Sequence, residues 1–339
     1  MDRQTQESVV LPSGTSPIEP VADGVNRPRW SVMIPTYHCA ALLAETLDSV
    51  LTQDPGPQEM QIAVIDDAST KDDPEAVVRR VAGDRVGFFR QPRNVGAIRN
   101  FNTCVARSTG HLVHLLHGDD RVEPGFYRQI ETLVESFPAA ALLAVRAKVI
   151  DASGKPIGVS RRLRGLESLT RDPGPCFYAN PMRTPAIVVR RSFYEKYGAF
   201  LEDLPHSADW EMWVRAIALG GGVMSAKLLA SYREFEGNDT SRLMRSGVAL
   251  RDRLRLARIW SERFPAFDGD RFRAMVRVTA AFHAARFQCR GDLEAAAANR
   301  AVYAELAGLR LPPAWRLREL LLSIPLLRRG IIAAALLLR

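Results

Sequence analysis

Ser31-Val32-Met33-Ile34-Pro35-Thr36-Tyr37 and Gln61-Ile62-Ala63-Val64-Ile65-Asp66-Asp67-Ala68-Ser69 share one design: an apolar run closing on polar and acidic residues. A continuous apolar run suits a strand covered on both faces of a parallel sheet. The pattern predicts strands at Trp30–Pro35, Gln61–Asp66, Gly87–Arg90 and His111–His117. Helical spacing lies between them. Leu43, Leu47, Val50 and Leu51 fall on one helix face, and Ile98, Phe101 and Val105 on another. Strand and helix in alternation predict an α/β fold on a parallel sheet.

Downstream, the pattern predicts a helix over Phe126–Ser136, strands at Ala141–Ile150, Ala186–Arg190 and Val223–Tyr232, and a helix over Ala208–Leu219. Gly154–Asn180, rich in Gly, Pro and Arg, reads as a loop insertion. From Thr240 onward only helices are expected, at Ser246–Phe264, Arg271–Gln288 and Asp292–Leu306. The expected organisation is a disordered lead over 1–28, a catalytic domain over 29–238 and a basic helical region over 239–339. The tail Leu311–Arg339, apolar clusters broken by arginine and Pro325, reads as amphipathic. It could lie on a membrane, pack on the protein's own core or serve a subunit contact.

The bulk composition excludes little. The chain has 339 residues, 47% hydrophobic and 25% charged, with a net charge of +8. That balance attracts nucleotide phosphates, nucleic acid or an acidic membrane surface. Little aromatic character interleaves with the arginines, which argues against nucleic acid as a partner. Cys39, Cys104, Cys176 and Cys289 form no Cys-x-x-Cys pair, and a cytoplasmic, reducing setting is expected. No signal peptide or run long enough to span a bilayer is read.

Ligands of open α/β sheets bind beyond the carboxyl ends of the strands. Here Thr36, Asp66, Asp67, Asp119 and Asp120 converge on that rim. Clustered carboxylates repel unless a cation compensates, and hard oxygen ligands suit Mg²⁺ or Mn²⁺. The alternative is that Asp66 and Asp67 merely cap a helix. His111, His114 and His117 have the look of a metal series, but strand alternation puts His114 on the opposite face. A three-histidine site is therefore not expected.

Four motifs in order, Ser31–Tyr37, Val64–Thr70, Arg93-Asn94-Val95-Gly96 with Asn102, and Leu116-His117-Gly118-Asp119-Asp120, resemble those of family 2 glycosyltransferases of GT-A fold over about Arg29 to Gly237. The resemblance implies that Pro35, Thr36 and Tyr37 line a nucleotide pocket, with Asp66 on the base and Asp67 beside it. It implies that Asn94 and Gly96 shape the neighbouring loop. Asp119 matches the last carboxylate of the Asp-x-Asp motif and would bind a divalent metal, Mn²⁺ or Mg²⁺, with Asp120 assisting. His117, which replaces that motif's first Asp, and Gly118 beside it would lie on the nucleotide sugar.

Ala208-Asp209-Trp210 resembles the acceptor-side motif, with Asp209 as catalytic base and Ala208 in place of Glu. A base is needed because a sugar hydroxyl attacks poorly until its proton leaves. Near a helix N-terminus Asp209 is expected to stay ionised; its other reading is an N-cap. Arg233 would face the diphosphate, and Phe235 stands where relatives carry His. The basic loop Arg161–Asp172 either covers phosphates or is simply solvated. The expected activity is inverting, metal-assisted transfer from a nucleotide sugar, UDP-linked by preference, to a saccharide or lipid-linked acceptor in cell-surface polysaccharide or glycoconjugate synthesis. Homo-oligomerisation is a further possibility. The alternatives are a nucleotidyltransferase, which lacks its glycine-rich first turn here, and a non-catalytic relative. No Gly-x-Gly-x-x-Gly follows the first strand, which argues against a Rossmann dehydrogenase.

Overall fold

A computed structural model of the chain describes residues 15–25, 27–313, 315, 316 and 319. These divide into two compact units. The first joins Met1–Asp203 to Ala208–Arg233, and the second joins Leu204–Ser207 to Glu234–Arg339. The chain thus passes into the second unit after Arg233, ahead of the 238/239 boundary expected from sequence.

The first unit begins as its sequence pattern predicts. Trp30–Thr36 (β1), Ala40–Leu51 (α1), Met60–Asp66 (β2), Pro74–Ala82 (α2), Gly87–Arg90 (β3), Ala97–Arg107 (α3) and Leu112–Leu115 (β4) alternate. β1 runs parallel to β2 and β4, and β2 to β3. Every residue of β1 is buried. Leu43, Leu47 and Val50 of α1, spaced to share one face, join the same core as Val32, Ile34, Ile62 and Val64. Pro74 in the first turn and Asp73, accepting the Ala76 N–H, start α2.

The other half of the sheet departs from the parallel expectation. Arg121–Val122 (β5), Phe126–Ser136 (α4), Leu142–Ile150 (β6), Pro156–Val159 (β7), Ile187–Arg190 (β8), Arg191–Tyr197 (α5), Ala208–Gly220 (α6) and Gly222–Arg233 (β9) complete it. Among the described residues the order is β3-β2-β1-β4-β8-β6-β9-β5, with β7 beside β6. β8 is antiparallel to both β4 and β6, and β6 is parallel to β9. Continuous apolar runs report burial on both faces, not direction, so the mixed character was invisible in sequence. The expected insertion Gly154–Asn180 is not loop throughout. β7 returns on β6 through a turn in which Asp151 Oδ1 accepts the N–H groups of Ser153 and Lys155. β7 is largely exposed and carries no core alternation to betray it.

Part of the lead over 1–28, expected to be disordered, is ordered. Thr15 bridges Leu201, Ile18 is buried, and Arg191 donates to the Glu19 carbonyl.

Gly110 explains the entry into β4. A Cβ there would stand 2.5 Å from the Trp30 carbonyl carbon and 2.7 Å from the Ser31 nitrogen. Backbone cannot yield as a side chain can, so Gly110→Ala is expected to destabilise by about 2–4 kcal/mol. Denaturant midpoints of the two proteins measure it, and equal midpoints would refute the close approach.

The second unit is helical among its described residues: Asp239–Arg245 (α7), Val248–Arg263 (α8), Gly269–Cys289 (α9) and Leu293–Glu305 (α10). Asn238, Asp268 and Asp292 each cap a helix by accepting an N–H three residues on. Trp260, Phe267 and Phe272 pack ring against ring at 5.4–5.9 Å. Fully buried Asp252 of α8 accepts the N–H groups of His206 and Ser207, which fastens that short segment to the helices. The arginines are not all a solvated face. Arg277 is mostly covered and donates to the carbonyls of Leu306, Ala307 and Leu309 at the end of α10. Among the described residues no helix is long and apolar enough to cross a membrane. Most of the amphipathic tail read at Leu311–Arg339 lies outside the described residues.

Candidate active site

The parallel strands deliver their polar ends to one rim. Thr36 and Asp66 are register partners at the ends of β1 and β2. The Pro35 carbonyl accepts the Gly118 N–H at 3.1 Å, and that of Thr36 accepts the Asp67 N–H at 2.9 Å. The turn after β4 therefore lies directly against the end of β1. Gly118 is required there, since a Cβ would approach Cys39 Sγ to 2.8 Å and Thr36 Cβ to 3.3 Å. Tyr37 is about half exposed and lies over His38 at 3.9 Å between ring centres, so its ring is open to a ligand.

The two carboxylates after β2 have internal duties. Asp66 is wholly buried; it accepts the Ser69 hydroxyl at 2.5 Å, the Ser69 N–H at 3.1 Å and Arg90 Nε at 2.7 Å. Asp67 receives the N–H groups of Val95 at 2.7 Å and Gly96 at 3.0 Å, while Asn94 Nδ2 donates to the Asp67 carbonyl. Asp67 thus secures the loop that leads into α3, where Gly96 has φ +89°. Burial pushes the Asp67 carboxyl up, against the pull of those two N–H groups. Arg90 and Ser69 supply the compensation that the sequence alone assigned to a cation.

The turn after β4 is different. His117, Asp119 and Asp120 each offer an atom, all within 4.8 Å of one another, in an arrangement able to hold a metal ion. Asp120 is buried; its Oδ1 accepts the Arg233 N–H at 2.7 Å, and its Oδ2 stands 3.5 Å from His117 Nδ1. Asp120 Oδ2 and His117 Nε2 are buried without hydrogen-bond partners. Burial pushes the Asp119 carboxyl up, and burial together with the Asp119 charge pushes Asp120 well up. Burial lowers His117 to about 4, leaving the imidazole neutral and able to ligate. A neutral imidazole and two adjacent carboxylates short of counter-charge fit a divalent cation. His114 does not join them. It is enclosed in the core, its Nε2 3.0 Å from the Pro185 carbonyl oxygen and its ring against Phe126; His111 is exposed.

Two residues with no local signal of function hold this turn. Thr46 of α1 donates to the carbonyls of Gly118 at 3.0 Å and Asp120 at 2.7 Å. Glu45, its neighbour, pairs with Arg121 and Arg233. Arg233 corrects an expectation: it is not a free cation for a diphosphate. Only 2% exposed, it donates through Nε to the Asp119 carbonyl, through Nη1 to those of Asp151 and Ala152, and through Nη2 to Glu45. Its guanidinium braces the turn.

Asp209 stands in the first turn of α6 and is half-buried. Its Oδ1 accepts the Trp210 N–H at 2.6 Å, and Asn180 Nδ2 donates to its Oδ2 at 3.4 Å. Burial works against the ionised form expected at this helix N-terminus. Burial pushes the group up to about 6, with the Trp210 N–H, the Arg183 charge and Asn180 pulling partly back. Arg183 also pulls Asp120 down, so one cation is felt by both acidic stations. Neither Asn180 nor Arg183 stood out in sequence, because their stretch has no periodic signal. Trp210 and Trp213 are buried core residues, and the Trp210 indole donates to the Cys176 carbonyl. Among the arginines of the 161–172 loop, Arg162 pairs with Glu167 and Arg171 donates to the Leu219 carbonyl.

Comparison with known proteins sets this geometry in a family. Residues 31–198 match the model of Glycosyl transferase family 2. An uncharacterised protein of Mycobacterium tuberculosis, MT1568, is 27% identical over 68% of this chain and 75% of its own. The putative glycosyltransferase EpsE of Bacillus subtilis is 24% identical over 56% of this chain and 66% of its own. Among solved structures, residues 1–349 of S. aureus TarS, in complex with UDP-GlcNAc, superpose with a TM-score of 0.51 at 16% identity, covering 82% of this chain and 91% of that one. The mannosyltransferase PcManGT of Pyrobaculum calidifontis, in complex with GDP-Man and Mn²⁺, gives 0.53 at 18% identity, covering 95% and 88%.

Proposed function

The chain carries a glycosyl transferase family 2 domain of GT-A fold and is a glycosyltransferase, and from that premise we propose that it moves a sugar from a nucleoside-diphosphate donor to a hydroxyl of a saccharide or lipid-linked acceptor, with inversion. The observation that carries the reading is the pairing of two acidic stations: a metal-competent His117-Asp119-Asp120 turn and a half-buried carboxyl, Asp209, poised near neutrality. Pro35, Thr36 and Tyr37 line the nucleotide side, and Asp67, Asn94, Gly96 and Gly118 shape the surrounding backbone; Asp66, expected on the base, is wholly buried against Ser69 and Arg90 and instead supports the rim. UDP-sugars are the favoured donors.

Asp119, Asp120 and His117 would hold Mn²⁺ or Mg²⁺, and a cation bound there would supply positive charge against the departing diphosphate. Asp209 accepts the acceptor's proton as its oxygen attacks the anomeric carbon; the bond to the nucleoside diphosphate breaks on the opposite face. Assembly of a cell-surface polysaccharide or glycoconjugate is the proposed setting. The four cysteines are free thiols, which suits a cytoplasmic site of action.

A thermal-shift screen of UDP, GDP, UDP-GlcNAc and GDP-Man, with and without Mn²⁺ or Mg²⁺, tests donor and metal together. A ligand at 100 times its Kd stabilises by about 2.7 kcal/mol, which is several degrees for a unit of this size. The metal-dependent part is expected to vanish in Asp119→Asn. A metal effect that survives the substitution would place the cation elsewhere.

A further inference from the structure

Two polar atoms in the Asp209 neighbourhood are buried and have no partner within the protein: Asn180 Oδ1 and Arg183 Nε. Both come from one short stretch that runs into a 3₁₀ turn at Thr184–Ala186 and then β8. Both residues are otherwise held in place. The Asn180 amide nitrogen is committed to Asp209 Oδ2. Arg183 Nη1 donates to the Asn180 carbonyl at 3.2 Å, and the guanidinium lies 5.2 Å from the centre of the Tyr232 ring. The fork and the amide are thus fixed, while one strong acceptor and one strong donor stay unspent.

A buried polar group without a partner costs about 1–3 kcal/mol. That cost is recovered if a ligand satisfies it. The chemistry required is specific: something that donates to an amide oxygen and accepts from a guanidinium N–H. A hydroxyl does both. Phosphate only accepts and would leave Asn180 Oδ1 unmet; an ammonium only donates and would leave Arg183 Nε unmet. Asn180 places the stretch against Asp209, while the Arg183 charge is felt both there and at Asp120.

We propose that Asn180 and Arg183 recognise the acceptor, receiving a second hydroxyl next to the one that attacks, so that the enzyme selects a polyhydroxylated acceptor carrying neighbouring hydroxyls. Asn180 is at the same time a positioning residue for Asp209. The inference rests on Asp209 being the base. Asp209 is faced by the Trp210 N–H, Asn180 and the Arg183 charge, and only Asn180 would be altered in the first variant below.

The test measures nucleoside diphosphate release from UDP-GlcNAc and GDP-Man with Mn²⁺, with and without p-nitrophenyl glycosides as acceptors. Release without a glycoside reports hydrolysis, which needs donor and base but no acceptor reading. Asn180→Ala is expected to raise the acceptor KM at least about 10-fold, the loss of one hydrogen bond to a buried site. Hydrolysis, which also uses Asp209, should fall but clearly less than transfer, and its acidic limb should move to higher pH, because the ionised Asp209 loses a donor. Arg183→Lys keeps the charge but removes the Nε donor and is expected to raise the acceptor KM as well. Transfer and hydrolysis falling by the same factor in Asn180→Ala would mean a purely structural role, and unchanged transfer would remove acceptor recognition; either overturns the inference. Full activity in Asp209→Asn would instead strike the base assignment.

Discussion

Asp209→Asn is expected to lower transfer by about 10³-fold while donor affinity stays within about twofold, the loss expected when a general base is removed. The amide keeps the shape and can still accept the Trp210 N–H, but it cannot take a proton. The same group fixes the pH dependence. With the carboxyl raised to about 6 by burial, kcat/KM in the wild type should climb through that pH and level above it. A profile flat from pH 5 to 8 would exclude Asp209 as the titrating base.

Stability should move the other way. A carboxyl whose folded pKa lies above its unfolded value of about 4 favours folding less as pH rises between the two, and the deficit is complete above about 6. The shift corresponds to about 2–3 kcal/mol as an upper figure, discounted because the group is partly exposed. Asp209→Asn carries no charge to bury. At pH 7.5 its melting temperature is expected to equal or exceed that of the wild type, the two converging near pH 4. A variant inactive because it unfolds would show the opposite.

The second large effect concerns the helix that carries Asp209. Arg215 of α6 is 2% exposed. Its guanidinium donates to Glu211 at 3.0–3.2 Å, to the carbonyls of Tyr197 and Gly198 through Nη1, and to that of Ala199 at 2.7 Å through Nη2. One side chain thus ties α6 to the chain leaving α5. Arg215→Ala strips Glu211 of its guanidinium and three buried carbonyls of their donor. Breaking a buried pair from one side costs about 3–5 kcal/mol, a large share of the 5–15 kcal/mol that holds a typical domain together. The melting temperature should fall by roughly 10 °C. The double substitution Glu211→Leu with Arg215→Met removes the buried carboxylate together with the guanidinium and should be less damaging than Arg215→Ala alone. If the double variant is the less stable, the carbonyl bonds outweigh the ion pair.

The alternating first half of the sheet was legible from the chain's pattern, because apolar runs of strand length and helix faces spaced by three and four residues leave few other ways to bury that surface. So were the acidic strand ends, and hence the rim shared by Asp66, Asp67, Asp119 and Asp120, since parallel strands point their carboxyl ends the same way. The helix that begins at Ala208 was legible for the same reason. What each charge does there depends on contacts between distant segments. Asp66 and Asp67 are met by Arg90, Ser69 and the N–H groups of Val95 and Gly96, whereas Asp120 keeps an oxygen unmet. Arg233 turns inward to brace a turn, and Glu45, Thr46, Asn180 and Arg183 arrive from segments with no local signal of function. The reason is physical: strand direction, burial and the partner of a charge depend on residues distant in the chain, while periodicity reports only a residue's immediate neighbours.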